Sequence, residues 1–229
     1  MKESSSRLNT FMSTTFQKLP KAPNLTEMTY LRIKQSVLTG SIEPSFRLTE
    51  EHIATQLGVS KSPVREALNR LEGEGLIRIE ARRGASVRQF SRKEVTDLYN
   101  LRVALELHSI SDASITRTVL SEMEESIKRT EEILKTGDRL AHIEEDLRFH
   151  RILAEATGNG ELCSVFENVQ QKTLLCRYRS YELSATSSPL AHKKIYKALT
   201  QGQISEAQDA MRNHIVYVRD RLLEDIDSR

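Results

Sequence analysis

Asp146 and His150 stand four residues apart in the segment DLRFH, a spacing that puts both side chains on one face of one helix. His192 opens a later helical segment, and His214 lies within the apolar stripe Ala207, Met211, Val218 and Leu222. A lone histidine on such a stripe is more often a hydrogen-bonded core residue than a ligand. One carboxylate and three imidazoles on the inner faces of three separate helices are a different case. A helical bundle can gather such a set around Zn²⁺, Ni²⁺ or Mn²⁺. His108 and His142 fall outside this pattern and read as surface residues. Arg102 and Glu106 share a helix face at the same four-residue spacing, either as a structural ion pair or as part of a pocket. A guanidinium there suits a carboxylate ligand, which it can bind through two parallel hydrogen bonds. Arg177, Tyr178, Arg179 and Tyr181 either line the same pocket or form a wet surface.

A second group of residues is suited to nucleic acid. Ser60, Lys61 and Ser62 precede Pro63, which belongs in the first turn of a helix. The helix dipole and free backbone N–H groups at that end attract phosphate. Arg65, one turn on, has the reach and fork geometry for guanine O6 and N7. Between Leu76 and Arg88 there are four arginines (78, 82, 83 and 88) against one acid, Glu80. Arg82, Arg83 and Gly84 make a turn whose arginines can enter a minor groove or hold backbone phosphates.

Regular elements must position both groups. Leu48, Ile53, Ala54 and Leu57 give one helix an apolar face, with Gly58 as its C-terminal cap. Ser60 or Ser62 caps the next helix, on which Val64, Leu68 and Leu71 point inward until Gly73 and Gly75 end it. Leu76–Glu80 and Ala85–Gln89 alternate as a hairpin. Helix, turn, second helix and basic hairpin make a winged helix-turn-helix, which delivers a helix N-terminus to the major groove. An earlier helix with the stripe Tyr30, Ile33, Val37 and Leu38 packs beneath it, capped near Asn24 and followed by a turn at Glu43-Pro44-Ser45. Gln89–Lys93 is the junction, with Ser91 as a cap.

Beyond Glu94 the pattern is helix after helix: Val95, Leu98, Leu101 and Leu105; then Met123 to Leu134; then Ile143 to Leu153. Leu162 to Val169 and onward, Leu190 to Leu199, and Ala207 to Leu222 follow, with a break at Ser184–Pro189. The expected fold is mainly α: an N-terminal winged helix-turn-helix and a C-terminal all-helical bundle of six or seven helices. The boundaries are a polar tail at 1–23, the DNA-binding domain at 24–89, and a metal-, effector- and dimer-forming domain at 90–229. The formal charge of +2 excludes a polycation, so any nucleic-acid affinity comes from local placement. No apolar run reaches the roughly 18 residues of a membrane span, and the first 23 residues lack the apolar stretch of a secretion signal. Cys163 and Cys176 form neither a CxxC nor a zinc-knuckle spacing and suit reduced thiols in a cytoplasmic protein.

The segment GVSKSPVREAL-x2-L-x3-GL with its RRG turn closely resembles the N-terminal domain of GntR-family bacterial transcription regulators. That resemblance implies DNA contacts from Ser60, Lys61, Ser62, Pro63 and Arg65, and from the wing at Arg83 and Gly84. Lys61 and Ser62 stand where most members have arginine and threonine, so a relative's operator does not transfer directly. The DxxxH, AHKKIYKAL and AxxAMRNHI segments resemble the ligand-binding (FCD) domain of the FadR/VanR branch, and the likeness spans nearly all of 24–225. It implies a divalent metal held by Asp146, His150, His192 and His214, beside a pocket for a small carboxylate effector reached by Arg102. Ala191 stands where an acidic residue is common, which bears on support of His192 rather than on ligation. The expected protein is therefore a cytoplasmic, homodimeric transcription regulator on operator DNA, acting as a repressor controlled by an organic acid. Two rivals remain: a regulator that senses the metal itself, and a metal-dependent hydrolase fused to a DNA-binding domain. The second lacks an HExxH motif, a nucleophile elbow or a phosphate loop.

Overall fold

A computed structural model describes residues 24–43, 46–177, 181 and 185–227. The tail at 1–23, Pro44, Ser45, Tyr178 and Arg179 lie outside the described residues. Three helices come first: α1 (Leu25–Leu38), α2 (Glu50–Leu57) and α3 (Lys61–Gly73). The hairpin β1 (Ile77–Glu80) and β2 (Gly84–Val87) follows, antiparallel, with Ile77 opposite Val87 and Glu80 opposite Gly84. Six further helices complete the described chain: α4 (Arg92–Asp112), α5 (Arg117–Thr136), α6 (Arg139–Glu155), α7 (Gly160–Arg177), α8 (Ser188–Thr200) and α9 (Ile204–Asp227). The fold is mainly α, with a winged helix-turn-helix ahead of a helical bundle.

Helix starts obey capping chemistry. Asn24, Thr49, Thr116 and Asp138 each accept a hydrogen bond from the backbone N–H three residues on. Ser91 and Glu94 form a reciprocal capping box at the junction, so α4 starts at a fixed point behind the wing. The start of α3 differs from expectation. Ser60 stands at the cap but makes no side-chain cap bond, and the Ser62 hydroxyl turns to Glu66 Oε1 at 3.3 Å. The amides at this end of α3 are thus left without a hydroxyl acceptor.

Leu48 also departs from the sequence reading. It precedes α2 and pairs with Ala85 as a third, one-residue strand, with N–O distances of 2.7 and 2.8 Å in the two directions. Thr49 takes the cap, so Leu48 must stay extended. This bridge ties the wing to the head core, where Val64, Ala67, Leu71 and Leu76 pack with Ile33 and Val37. It also requires a glycine at 84, whose φ is +83° and where a Cβ would sit 2.7 Å from the Leu48 carbonyl oxygen.

In the bundle, two expected core leucines are exposed: Leu101 at 45% and Leu190 at 66%. On α4 the buried line runs instead through Val95, Tyr99, Arg102, Glu106 and Ile110. The inward face of this helix is partly polar, and the apolar pattern alone misplaces it by a fraction of a turn. Phe149, Ile195, Met211, Ile215 and Val218 fill the core beside that polar line.

Gly84→Ala should lower stability by about 1–2 kcal/mol, the cost of a left-handed non-glycine residue, before any relief of the Leu48 contact. The check is the urea-denaturation midpoint; an unchanged midpoint would show that the wing is not anchored through this bridge.

Candidate metal centre and nucleic-acid interface

Helix α6 presents His142, Asp146 and His150 on successive turns of its inner face, and all three are buried. His142 therefore corrects the surface assignment: it sits one turn before Asp146 on the same face. Its ring meets Tyr181 edge-on at 5.3 Å, and burial pushes its pKa down. His192 enters from α8 and His214 from α9, and all four residues Asp146, His150, His192 and His214 are at most 4% exposed. One ligand atom from each lies within 4.8 Å of all the others.

The groups around this cluster fix its chemistry. Glu106 Oε2 bonds His150 Nδ1, which turns His150 Nε2 toward His214 Nε2 at 3.3 Å. His192 lies flat on Phe149, with centroids 3.8 Å apart and planes 6° from parallel. Its Nε2 is 3.5 Å from Asp146 Oδ1. The other Asp146 oxygen is held by Arg177. Burial pushes the Asp146 carboxyl up, but the Arg177 guanidinium outweighs it and holds it well below the usual carboxylate range. Burial holds His192 and His214 well below the usual imidazole range, against the opposing pull of the Asp146 carboxylate.

An ionised carboxylate and neutral imidazoles are the forms that bind a metal. Asp146 Oδ1, both His192 nitrogens and His214 Nδ1 have no hydrogen-bond partner among the described residues. An ion bound at about 2.0–2.1 Å needs no donor pair wider than about 4.2 Å, so the widest pair must close by some tenths of an ångström. The four residues fit a divalent cation.

The sequence-predicted pocket residues meet the same centre. Arg102 is fully buried and its Nε bonds Glu106 Oε1 at 2.5 Å. Arg102 Nη1 and Nη2, Arg177 Nη2 and the Tyr99 hydroxyl are buried without partners among the described residues. Burial pushes the Tyr99 pKa up to about 12, although Arg177 and Arg102 act against it. Burial likewise works to raise Glu106, but Arg102 and His150 bring it down to about 2. Both Glu106 oxygens are committed, so it positions its neighbours rather than offering an open contact. Tyr99 and Phe149 escaped the sequence reading. Tyr99 was legible as the residue three before Arg102 and seven before Glu106 on one helical face.

The residues expected to meet DNA are mostly exposed. Ser60, Lys61, Ser62, Arg65, Arg82 and Arg83 are exposed, Gly84 is half-buried, and Pro63 is buried in the head core. Arg65 forks onto Glu50, Nε to Oε1 at 2.8 Å and Nη2 to Oε2 at 2.7 Å. Lys61 faces Glu51 at 3.6 Å, and Arg83 faces Glu80 at 3.8 Å. Arg47, unremarked in the sequence, bonds the Arg83 carbonyl at 3.2 Å and so joins the wing face.

A reading helix with a basic wing, set on a helical bundle, defines a class: transcription regulators that join a DNA-reading head to a helical domain. Residues 25–87 match the model of the bacterial regulatory proteins of the gntR family, and residues 97–217 match the FCD domain. The chain belongs to the GntR family, among the regulators that carry an FCD domain. It is 32% identical over 83% of its length to an HTH-type transcriptional regulator in an unstable DNA locus of Streptomyces ambofaciens, covering 82% of that protein. It is 26% identical to the gluconate operon transcriptional repressor of Bacillus licheniformis, over 60% of this chain and 57% of that one. A crystal structure of a GntR transcriptional regulator from Rhodococcus sp. RHA1 has the same fold, with TM-score 0.78 and 22% identity over 87% of this chain and 97% of that one. These relatives are regulators rather than enzymes. No helix among the described residues is long and apolar enough to cross a membrane.

Arg177→Ala strands the buried Asp146 carboxylate. In chelator-treated protein it should cost about 3–5 kcal/mol, as breaking a buried ion pair does. Chemical denaturation measures this, and a loss below about 1 kcal/mol would mean that Asp146 is not held ionised by Arg177.

Proposed function

We propose that this chain is a repressor whose hold on operator DNA is set by a small organic acid bound inside the bundle. The observation that carries the reading is Arg102: a fully buried guanidinium whose two Nη groups have no partner among the described residues. Buried donors left unsatisfied cost about 1–3 kcal/mol each, more when charged, and an anion removes that cost. Arg102 and the Tyr99 hydroxyl would hold one end of a carboxylate. Arg177 would keep Asp146 ionised while its Nη2 stays available to the ligand.

Asp146, His150, His192 and His214 would hold a divalent cation, with Zn²⁺, Ni²⁺ and Mn²⁺ all compatible with the donors. When bound, it would supply an electrophilic anchor with open positions for a carboxylate oxygen. Glu106 keeps the His150 ring turned so that Nε2 faces inward. Phe149 does the same for His192 by stacking.

On the head, Arg65 and Lys61 would exchange their glutamate partners for base edges and phosphates. Exposed pairs of this kind contribute little, so the exchange is easy. The uncapped start of α3 suits a phosphate oxygen, and Arg82, Arg83 and Arg47 suit the flanking backbone. A homodimer in the cytoplasm would place two reading helices in successive major grooves about 34 Å apart. The acid would act by binding one arrangement of the heads more tightly than the other. The relative that represses a gluconate operon makes sugar acids a sensible first set.

Arg65→Ala should weaken specific operator binding on the order of 10- to 100-fold while leaving folding intact, read by gel shift and circular dichroism. Unchanged specific affinity would remove Arg65 from the reading face. A thermal-shift screen of metal-replete protein against mono-, di- and sugar carboxylates, beside a chelator-treated control, tests the sensor. One acid should raise the melting temperature only when metal is present, and His214→Ala should lose both the metal and that response. If chelation lowers the melting temperature but no acid acts, and operator affinity follows free metal, the ion itself is the signal. A His214→Ala variant that retains metal would sink the ligand assignment.

A further inference from the structure

The reading head rests on the bundle mainly through α7. Asn168 Nδ2 donates to the Glu74 carbonyl at the end of α3, at 3.1 Å. Leu175 packs into the head core, and Leu38 of α1 packs both there and against the bundle. Beside this contact the two parts leave a cavity of about 250 Å³. Its walls come from the end of α1, the segment leaving β2, and helices α4, α7 and α9. Leu38, Ile42, Phe90, Leu175, Leu222 and Ile226 make it largely apolar.

Its polar lining is Arg88, Gln89 and Asp225, and a second cation, Lys172, stands next to Arg88. Arg88 lines the cavity, lies over the Phe90 ring at 4.7 Å and bonds Glu94 Oε1 at 2.6 Å. Lys172 stands one turn before the cavity-lining Cys176 on α7 and forms no ion pair among the described residues. Its Nζ and Arg88 Nη1 both lie within 3.3 Å of the point where a side chain on Gly75 would begin. Burial and the charge of Arg88 together push the Lys172 pKa down. Two half-buried cations therefore crowd one spot, with a single carboxylate, Glu94, engaged beside them. Asp225, the acid among the lining residues, already has a partner of its own.

We propose that this cavity is a second ligand site, separate from the metal pocket, and that it takes a small amphipathic monocarboxylate. The alkyl chain would lie against Leu38, Phe90, Leu175 and Ile226. The carboxylate would sit between Arg88 and Lys172, relieving their mutual repulsion through charge-assisted hydrogen bonds. The volume falls just below the usual range of about 300–1,000 Å³ for ligand pockets, which suits a short chain and excludes a long acyl group. Because the walls belong to both parts, an occupant favours the seated head over any arrangement that opens the junction. The site thus provides a second input to DNA binding that does not depend on the metal.

Isothermal titration of the full-length, metal-replete protein with octanoate tests this. Acetate supplies the head group alone and 1-octanol the tail alone. Octanoate should bind more tightly than either. Lys172→Gln at the rim should weaken it about tenfold, the loss of one charge-assisted contact. Leu175→Trp, and independently Ile226→Trp from the opposite wall, should abolish binding by filling the space, with circular dichroism checking that each variant is folded. Absence of octanoate binding to the parent protein overturns the proposal. So does binding that the folded Trp variants leave intact, which would place the ligand elsewhere. Equal affinity for octanoate and 1-octanol, or for parent and Lys172→Gln, overturns the role of the two cations.

Discussion

The bundle depends on keeping one negative charge in its middle. Asp146 is fully buried, and an isolated carboxylate in that position would take up a proton. Arg177 on α7 holds it ionised, and three imidazoles from α6, α8 and α9 gather around it. Two of those rings have supports of their own: Glu106 and Arg102 on α4 turn His150, and Phe149 carries His192. Five helices are thereby committed to one polar centre. Their apolar faces alone would allow several packings, and the charge chooses among them. The same centre has spare donors as well as spare ligand atoms, a combination suited to an anion lying against a metal.

Function divides along the difference between buried and exposed charge. The centre works through desolvated groups whose protonation is set by their neighbours. The head works through exposed cations that can change partners. Helix α7 belongs to both: Arg177 ends it at the centre, and Asn168, nine residues earlier, holds the end of the reading helix.

Much of this was legible in the residues. Gly58, Ser91 and Gly137 mark helix ends by local chemistry, and local chemistry survives folding. Asp146, His150, His192 and His214 stood out because polar residues interrupt apolar stripes only at a cost. Leu101 and Leu190 misled for the complementary reason: an apolar residue can stand exposed, so a stripe drawn through leucines can be rotated from the true inner face. On α4 that face carries Tyr99, Arg102 and Glu106, which periodicity of apolar residues does not register. His142 was misplaced because its burial depends on α6 being enclosed, a tertiary fact. The Leu48 bridge to Ala85 and the Glu50–Arg65 fork link residues 37 and 15 positions apart, beyond any local signal.

The glutamates facing Lys61, Arg65 and Arg83 have a consequence for how the protein responds to ionic strength. A cation already neutralised within its own chain brings fewer mobile anions to the encounter, and duplex phosphates on meeting it release fewer counterions than an unmasked lysine or arginine would cause. The salt dependence of operator affinity should then be shallower than the number of basic residues on the surface suggests.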